Sequence, residues 1–480
     1  MATQHPDNAR APYWLRDGFI GTSNEVEECY RCFKDLGCEE YLWDWEGKHV
    51  DESVVEKLIE HYRDFFSKKQ LGKDVSLTFR FPNIWQERQY RLAKAFVSII
   101  SANDFAADCG LHSPPVSEAY LPMTTDAKQV FYIQEKYRAV ARAFKALEST
   151  GPAGITITPL IEEVRLIAKA DQIVSDCMRA GERRTKVWLA RSDPALNSGC
   201  AAAVLGVKIG LDRLRRLGEK TGVAIHPIIG VGSLPFRGGL TPRSVKAFAG
   251  EYAGVRTVTI QSAFKYDYPL PEVKTAIKRL PALLNKKAKQ VDEKRVLEAI
   301  GVFEKFYTKT IEGIAADVNK LSSFVPRRRE RRLHIGLFGY SRMVGKKKLP
   351  RAIPFVAALY SLGVPPEFIG SGRALAELEK NNLTDAAEDA YTGLRNDLLQ
   401  AGCFLNRENL ELLSEKNGAW RAIREDVLLA EDFLGQKLGP VEEEHFIHRN
   451  ISSNVRILLS RGIGVSEEIS RAGEIRRSLG

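Results

Sequence analysis

The chain has 480 residues, 44% hydrophobic and 28% charged, the proportions of a soluble globular enzyme with room for one large α/β barrel or two domains. No run approaches the roughly 18 apolar residues of a membrane span, and the first residues lack the apolar core of a secretory signal. A net charge of +10 suits small anionic substrates as well as nucleic acid. Much of the excess is local, in RRRERR at 327–332 and the lysines at 346–348, and a solvated face accounts for both. Seven scattered cysteines (29, 32, 38, 109, 177, 200, 403), an odd number, point to reduced thiols in the cytoplasm. The CxxC at 29–32 sits in a helix-like pattern with neither a second pair nor a well-spaced His, which argues against zinc.

Residues 1–24 are polar and irregular, and His5, standing before Pro6, is steered away from helix. On composition alone it reads as a surface residue. A helix is expected over 25–36. The stretch GCEEYLWDWEGK at 37–48 mixes two tryptophans with four acids and a lysine, and reads equally as a packed aromatic hinge with solvated acids or as a binding loop. Asp51 is positioned to cap a helix whose apolar face carries Val54, Val55, Leu58, Ile59, Tyr62, Phe65 and Phe66. A strand over 75–79 ends in Arg80-Phe81-Pro82-Asn83, and a helix follows over 85–100. The short apolar piece 119–123 precedes another helix. Strand 155–160 ends at Glu162 and Glu163, and a helix runs on to about 178.

In KVWLARSDPALNS at 186–198 the apolar run 187–190 has the length of a buried strand and breaks into Arg191, Ser192, Asp193 and Pro194. Taken alone, this is an Asp capping the next helix beside a surface Arg. A helix over 200–217 and a strand over 223–229 lead into GVGSLPFRGG at 230–239. Its glycines let backbone approach a ligand, though it has neither the P-loop nor the GxGxxG pattern. Strand 256–260 ends in QSAFKYD at 261–267. A long helix spans 292–323, with Val296, Ile300, Phe303, Tyr307, Ile311, Ile314, Val318 and Leu321 on one face. The basic run opens strand 333–338, loop 339–345 follows, and a helix starts near 351. Beyond 370 the chain is helical and poor in motifs.

Strands and helices alternate at least six times between 75 and 362, which makes a parallel sheet. Nearly every strand ends in a polar or charged loop. In a (β/α)8 TIM-type barrel those ends share one mouth, whereas a doubly wound sheet, the runner-up, brings fewer together. The expected division is an N-terminal segment with helices over 1–74, a core barrel over 75–370 and a helical C-terminal region over 371–480, all one barrel-based unit. Glu162 and Asp193, at consecutive strand ends, suit Mg2+ or Mn2+. Arg80, Arg191, Arg237, Arg342 and Arg351 around them suit phosphate and carboxylate oxygens. The residues alone reach a metal-dependent barrel enzyme acting on a small phosphorylated acid and leave the reaction open.

TQHPDN at 3–8, LGCEEYLWDWEGKHVD at 36–51, FRFPN at 79–83, LARSDPA at 189–195, PIIGVGSLPFRG at 227–238, QSAFKYD at 261–267, RRLHIGLFGYSR at 331–342 and LPRAIPF…ALYSLGVPPE at 349–367 resemble archaeal-type phosphoenolpyruvate carboxylase. The resemblance runs in order over roughly residues 3–370. It implies a (β/α)8 barrel with extra helices, usually a homotetramer. It also implies an anaplerotic reaction in which phosphoenolpyruvate and bicarbonate give oxaloacetate and phosphate, with Mg2+ or Mn2+ required. Bicarbonate attacks the phosphoryl group to give carboxyphosphate and the enolate of pyruvate, and a histidine helps carboxyphosphate release the CO2 that the enolate captures.

His5 in TQHPDN resembles the catalytic histidine of the HPT-type motif in the larger bacterial and plant carboxylases. Glu162 in PLIE and Asp193 in RSDPA resemble their two metal ligands. Arg237 in PFRGG resembles the second arginine of their glycine-rich loop, Arg351 in LPRAIP one in their LRAIP block, and Arg80 one in a strand-end IRQ block. Two charges of the larger enzymes are missing, with Leu196 in place of a lysine and Val231 in place of an arginine. Arg191, Lys265 and Arg342 are the cations expected to compensate. Only Met1 and Ala2 precede TQHPDN, where relatives usually carry a first barrel strand, so either the start codon is placed late or that strand is short. Loop 339–348, rich in glycine and lysine, is expected to close over substrate. The competing readings are a related metal-dependent lyase or aldolase acting on phosphoenolpyruvate or pyruvate and, from another class, a nucleic-acid-binding protein. No nucleic-acid or membrane partner is expected.

Overall fold

The computed structural model describes residues 1–480 apart from 17, 49, 87–88, 146–153, 331–342 and 345–346. Seven strands form one parallel sheet in the order of the sequence: β1 (Glu40–Asp44), β2 (Ser76–Arg80), β3 (Glu118–Leu121), β4 (Thr156–Ile161), β5 (Arg184–Ala190), β6 (Ala224–Gly230) and β7 (Thr257–Val258). Parallel neighbours in sequential order require a crossover between each pair, and the intervening helices supply it. The sheet curves around its own inner core, where Leu42, Tyr120, Leu160, Trp188, Ala190 and Ile228 pack together. Below them lies a polar layer in which Glu40 accepts from Thr78 and Tyr120, at 2.9 and 2.8 Å, and Glu118 is paired with Lys186.

Residues 1–3 lie between the two outer strands. Ala2 bridges in parallel to Tyr41 on one side and to Ile260, just past β7, on the other. Ala2 N donates to Glu40 O at 2.7 Å and Thr3 N to Ile260 O at 3.0 Å. These residues occupy the position between the sheet edges.

β1 corrects the expectation for 37–48. That stretch is neither a hinge nor a solvated acid cluster but a strand with Tyr41, Leu42 and Trp43 all buried, as both faces of a parallel sheet demand. Its acids Asp44 and Glu46 are buried as well. The sheet therefore begins well before residue 75. Strand 333–338 lies outside the described residues, as does most of loop 339–348. Of that loop, Met343–Val344 and Lys347–Lys348 pair as a short antiparallel ribbon.

Helix α1 (Glu25–Lys34) packs on the N-terminal edge of the sheet. A second core forms where α2 (Cys200–Thr221), rich in alanine and buried along most of its length, meets α3 (Glu293–Ser322) and the helices beyond 371. All eight residues expected on the apolar face of α3 are buried, and Asp292 caps the helix by accepting from Arg295 N. The chain continues through α4 (Ala352–Ser361) to α5 (Ser466–Arg476), which packs on α4 and is followed by Leu479, whose N–H reaches Asp7 O. Among the described residues no single helix is long and apolar enough to cross a membrane.

Of the described part of the run 327–332, Arg327 and Glu330 are exposed as a solvated face requires, but Arg329 is not. Arg329 is fully buried and pairs with Glu25 and Glu28 at 2.9 and 2.5 Å. The same carboxylates hold Lys48 and Lys265, at 2.6 and 2.9 Å, and Glu28 also accepts from Tyr41 and Tyr266. Burial pushes the Glu28 carboxyl up, but Arg329 and Lys265 outweigh it and hold it well below the usual carboxylate range. A lowered acid stabilises the fold fully above its unfolded value, 4.5, and the contribution fades as pH falls through the folded value. Glu28→Gln leaves buried Lys265 without its carboxylate and Arg329 with Glu25 alone, so in urea denaturation it loses about 3–5 kcal/mol at pH 7. The difference from wild type narrows as pH drops below 4.5.

Candidate active site

The carboxyl ends of the strands open onto one cavity of about 90 Å3, well under the roughly 300–1,000 Å3 of pockets for larger ligands. His5, Arg80, Glu162, Asp193, Arg237 and Arg351 all line it, although they come from positions up to 346 residues apart (351 − 5). The strand-end residue Gln261 joins them, as do Glu46, Trp188 and Ser192, which motif reading did not single out. Two sequence candidates do not. Arg342 lies outside the described residues. Lys265 is fully buried away from the cavity, donating to Glu28 and, at 2.9 Å, to Thr3 O. Its geometry is that of a strut under the first three residues and not of a substrate contact.

His5 is set by the segment that follows β7. Ser262 N donates to His5 O at 3.2 Å, Ala263 N donates to Asp7 Oδ1 at 2.7 Å, and Asp267 accepts from the backbone of Ala9 and Arg10, each at 2.8 Å. With Lys265 beneath Thr3, the block QSAFKYD forms a cradle for TQHPDN. The imidazole Nδ1 lies 2.9 Å from Thr3 Oγ1. Burial pushes Asp267 up to about 8, against the two backbone N–H bonds of the cradle, which favour its carboxylate. No local pattern marks these contacts.

Arg80, at the last position of β2, is gripped by Asp44 through Nε and Nη2, at 2.9 and 2.7 Å, and its Nη1 reaches Glu46 at 2.9 Å. Burial alone would push Asp44 up, but Arg80, with Lys48 and His5 adding to it, holds its carboxyl well below the usual range. Arg237 is deeper. Its Nη1 donates to Asp7 at 3.0 Å and to Gly480 O at 2.6 Å, its Nη2 to Gln261 at 2.5 Å and its Nε to Ser192 at 3.3 Å. Burial raises the Asp7 carboxyl, and Arg237 opposes it.

Two glycines make this possible. A Cβ on Gly232 would lie 2.7 Å from Arg237 Nη1, and Gly238, at φ +116°, has a conformation that side chains disfavour. Arg191 borders the cavity, but its guanidinium is fully buried behind the same loop. Arg351 stands immediately before α4, whose first residues Ala352 and Ile353 also line the cavity, so a helix N-terminus and a guanidinium face the same space.

Glu162 and Asp193 follow the adjacent strands β4 and β5 and face the cavity together. Among the described residues no group of three or more His, Cys, Asp or Glu is arranged to hold a metal. Two hard carboxylates with an open side differ from a closed cage of four ligands. They fit an ion whose remaining positions go to water and substrate, as Mg2+ and Mn2+ prefer. The thiols of Cys29 and Cys32 are buried on α1, and burial raises both. They offer no thiolate.

The whole chain, residues 1–480, matches the family model described as phosphoenolpyruvate carboxylase. Among curated proteins, the phosphoenolpyruvate carboxylase of Leuconostoc mesenteroides is 37% identical over 499 residues, covering 100% of this chain and 98% of its own. That of Halobacterium salinarum is 43% identical over 438 residues, covering 86% and 87%. That of Methanothermobacter thermautotrophicus is 38% identical over 425 residues, covering 85% and 87%. Among solved structures, Haloferax volcanii malate synthase aligns with a TM-score of 0.35 at 10% identity, covering 86% of this chain and 99% of that one, a likeness too slight to bear on fold or activity. A cavity built from a histidine, a carboxylate pair and converging arginines, on a chain matched along its full length, makes this protein a member of the archaeal-type phosphoenolpyruvate carboxylase family, a carbon–carbon carboxy-lyase.

Proposed function

We propose that this cavity joins phosphoenolpyruvate and bicarbonate, with Glu162 and Asp193 holding Mg2+ or Mn2+ and His5, Arg80, Arg237 and Arg351 acting on the substrates. The observation that carries the reading is the meeting of all six side chains in one small cavity. A bound divalent ion supplies positive charge against the carboxylate and enolate oxygens. Arg351 and the N-terminus of α4 receive anionic oxygens of the substrate, and Arg237, held rigid by four partners, presents fixed positive charge where phosphoryl charge shifts. Arg80 contributes its charge from the grip of Asp44 and Glu46.

A bicarbonate oxygen bonds to phosphorus as the bond from phosphorus to the enol oxygen breaks, the electron pair staying on that oxygen, giving carboxyphosphate and the enolate of pyruvate. His5 takes the carboxyl proton of carboxyphosphate, whose C–O bond to phosphate then breaks to release CO2. The enolate methylene carbon bonds to that CO2 to give oxaloacetate. Burial of the cavity limits competing protonation of the enolate by water.

The further readings concern architecture and assembly. Residues 1–3, between β1 and the end of β7, serve as the eighth stave of a (β/α)8 barrel, which the parallel bridges of Ala2 support. The chain is one barrel-based unit carrying a helical C-terminal region. A cytoplasmic homotetramer follows from the family resemblance and the free thiols. A sedimentation mass of four 53.7 kDa chains is expected, and a monomer contradicts it.

An assay coupled to malate dehydrogenase and NADH tests the chemistry. NADH loss requires both bicarbonate and Mg2+, His5→Asn lowers kcat about 10²–10⁴-fold, and Glu162→Gln or Asp193→Asn raises the Mn2+ concentration needed for half-maximal rate. Full activity in His5→Asn contradicts the assignment.

A further inference from the structure

Arg191 borders the cavity but spends its guanidinium on the groups behind it. Its side chain is fully buried, and among the described residues none of its hydrogen-bond partners is a carboxylate. Nη1 donates to Phe236 O at 3.1 Å, Nη2 to Pro235 O at 3.4 Å and Cys200 Sγ at 3.3 Å, and Nε to Tyr252 Oη at 3.2 Å. Burying a guanidinium on neutral acceptors is costly, and the planar fork repays it only where several acceptors must be fixed at once. Here two of those acceptors are consecutive carbonyls of the loop that carries Arg237.

The opposite side of the same peptide is also held. Phe236 N donates to Glu367 Oε1 at 2.8 Å, and that oxygen accepts from Tyr360 as well, at 2.8 Å. Burial pushes Glu367 up to about 7, and Oε1 can accept both bonds whether or not the other oxygen carries a proton. The stem of Arg191 completes the seat, since a Cβ on Gly238 would lie 3.4 Å from its Cγ and 2.5 Å from Val231 Cγ1. Thus the residue before Arg237 is pinned at its N–H and its C=O, and the residue after it is wedged against Val231 and Arg191.

We propose that Arg191 and Glu367 are positioning residues that clamp the Phe236 peptide from its two sides and so fix the direction in which Arg237 meets the substrate. The inference rests on the assignment of Arg237 to substrate binding. It departs from the expectation that Arg191 replaces a missing charge at the substrate, because its fork is occupied by backbone. A displacement of about 1 Å at a reacting group can cost about 100-fold in rate, so a clamp of this kind is a kinetic element without touching substrate.

The test is steady-state kinetics of the metal-loaded enzyme with saturating bicarbonate, for Arg191→Lys, Arg191→Met, Glu367→Gln, Glu367→Leu and Arg237→Lys. Arg191→Lys keeps the charge but loses the fork, and it is expected to fall about 10–100-fold in kcat/KM for phosphoenolpyruvate, close to Arg191→Met. Glu367→Leu falls similarly, while Glu367→Gln, which keeps the accepting oxygen, stays within about threefold of wild type. Should Arg191→Met fail to fold, hydrogen exchange at the Phe236 amide reads the clamp directly, and faster exchange is expected in Arg191→Lys and Glu367→Leu. Wild-type kcat/KM in Arg191→Lys, or unchanged exchange in Glu367→Leu, overturns the clamp. If Arg237→Lys is impaired while Arg191→Lys is not, the clamp alone fails. If Arg237→Lys is itself unimpaired, the assignment of Arg237 fails, and the purpose of the clamp with it.

Discussion

A buried guanidinium has to be matched by acceptors, and Arg237 imposes that requirement on the whole molecule. Its partners come from the segment after Ala2, the turn after β5, the end of β7 and Gly480. The parallel sheet and the Ala2 bridges already bring the first three of these segments to one side, and Arg237 ties them to one another and to Gly480, so that the same atoms then surround the cavity. Leu479 N donates to Asp7 O at 2.7 Å, and Arg476 Nη2 donates to Leu479 O at 3.0 Å. The helical region beyond 371 is thereby joined to the turn that bears His5.

The cavity handles its cations in three ways. Arg80 is held by two carboxylates, Arg237 by Asp7 together with Ser192, Gln261 and the backbone of Gly480, and Arg191 by neutral groups only. A site that must receive a multiply charged anion gains from this gradation. Paired arginines stay fixed in place before the substrate arrives, while the fork of Arg191 is spent on the loop that carries Arg237. The carboxylates respond in opposite directions, with Asp44 held low by Arg80 and Asp7 raised by burial. The ionic character of the pocket is therefore set by packing as much as by composition.

Much of the architecture was legible in the sequence because parallel strands direct all their carboxyl ends to one side. Once strands were recognised by short apolar runs, the polar residues after them had to converge. β1 was hidden because its three apolar residues are flanked by acids, and local composition cannot distinguish an acid that meets Arg80 from one that meets water. The same holds for Arg329 and Lys265. In sequence, RRRERR reads as a solvated patch and QSAFKYD as a loop with a spare lysine, and what buries both is α1, some 240 and 300 residues earlier in the chain (265 − 25 and 329 − 25). Long-range ion pairing leaves no periodic trace. The same limit hid the grip on Phe236, which depends on a glutamate more than 100 residues away.

The central claim is that Asp7 and Arg237 act as one unit that orders the cavity. A double-mutant cycle on kcat/KM for phosphoenolpyruvate, using Asp7→Asn, Arg237→Gln and the pair, tests it most directly. The account predicts that the double variant is scarcely worse than Arg237→Gln alone, with a coupling energy of about 1.5 kcal/mol or more. Losses that add to within about 0.5 kcal/mol would show two independent residues and contradict it.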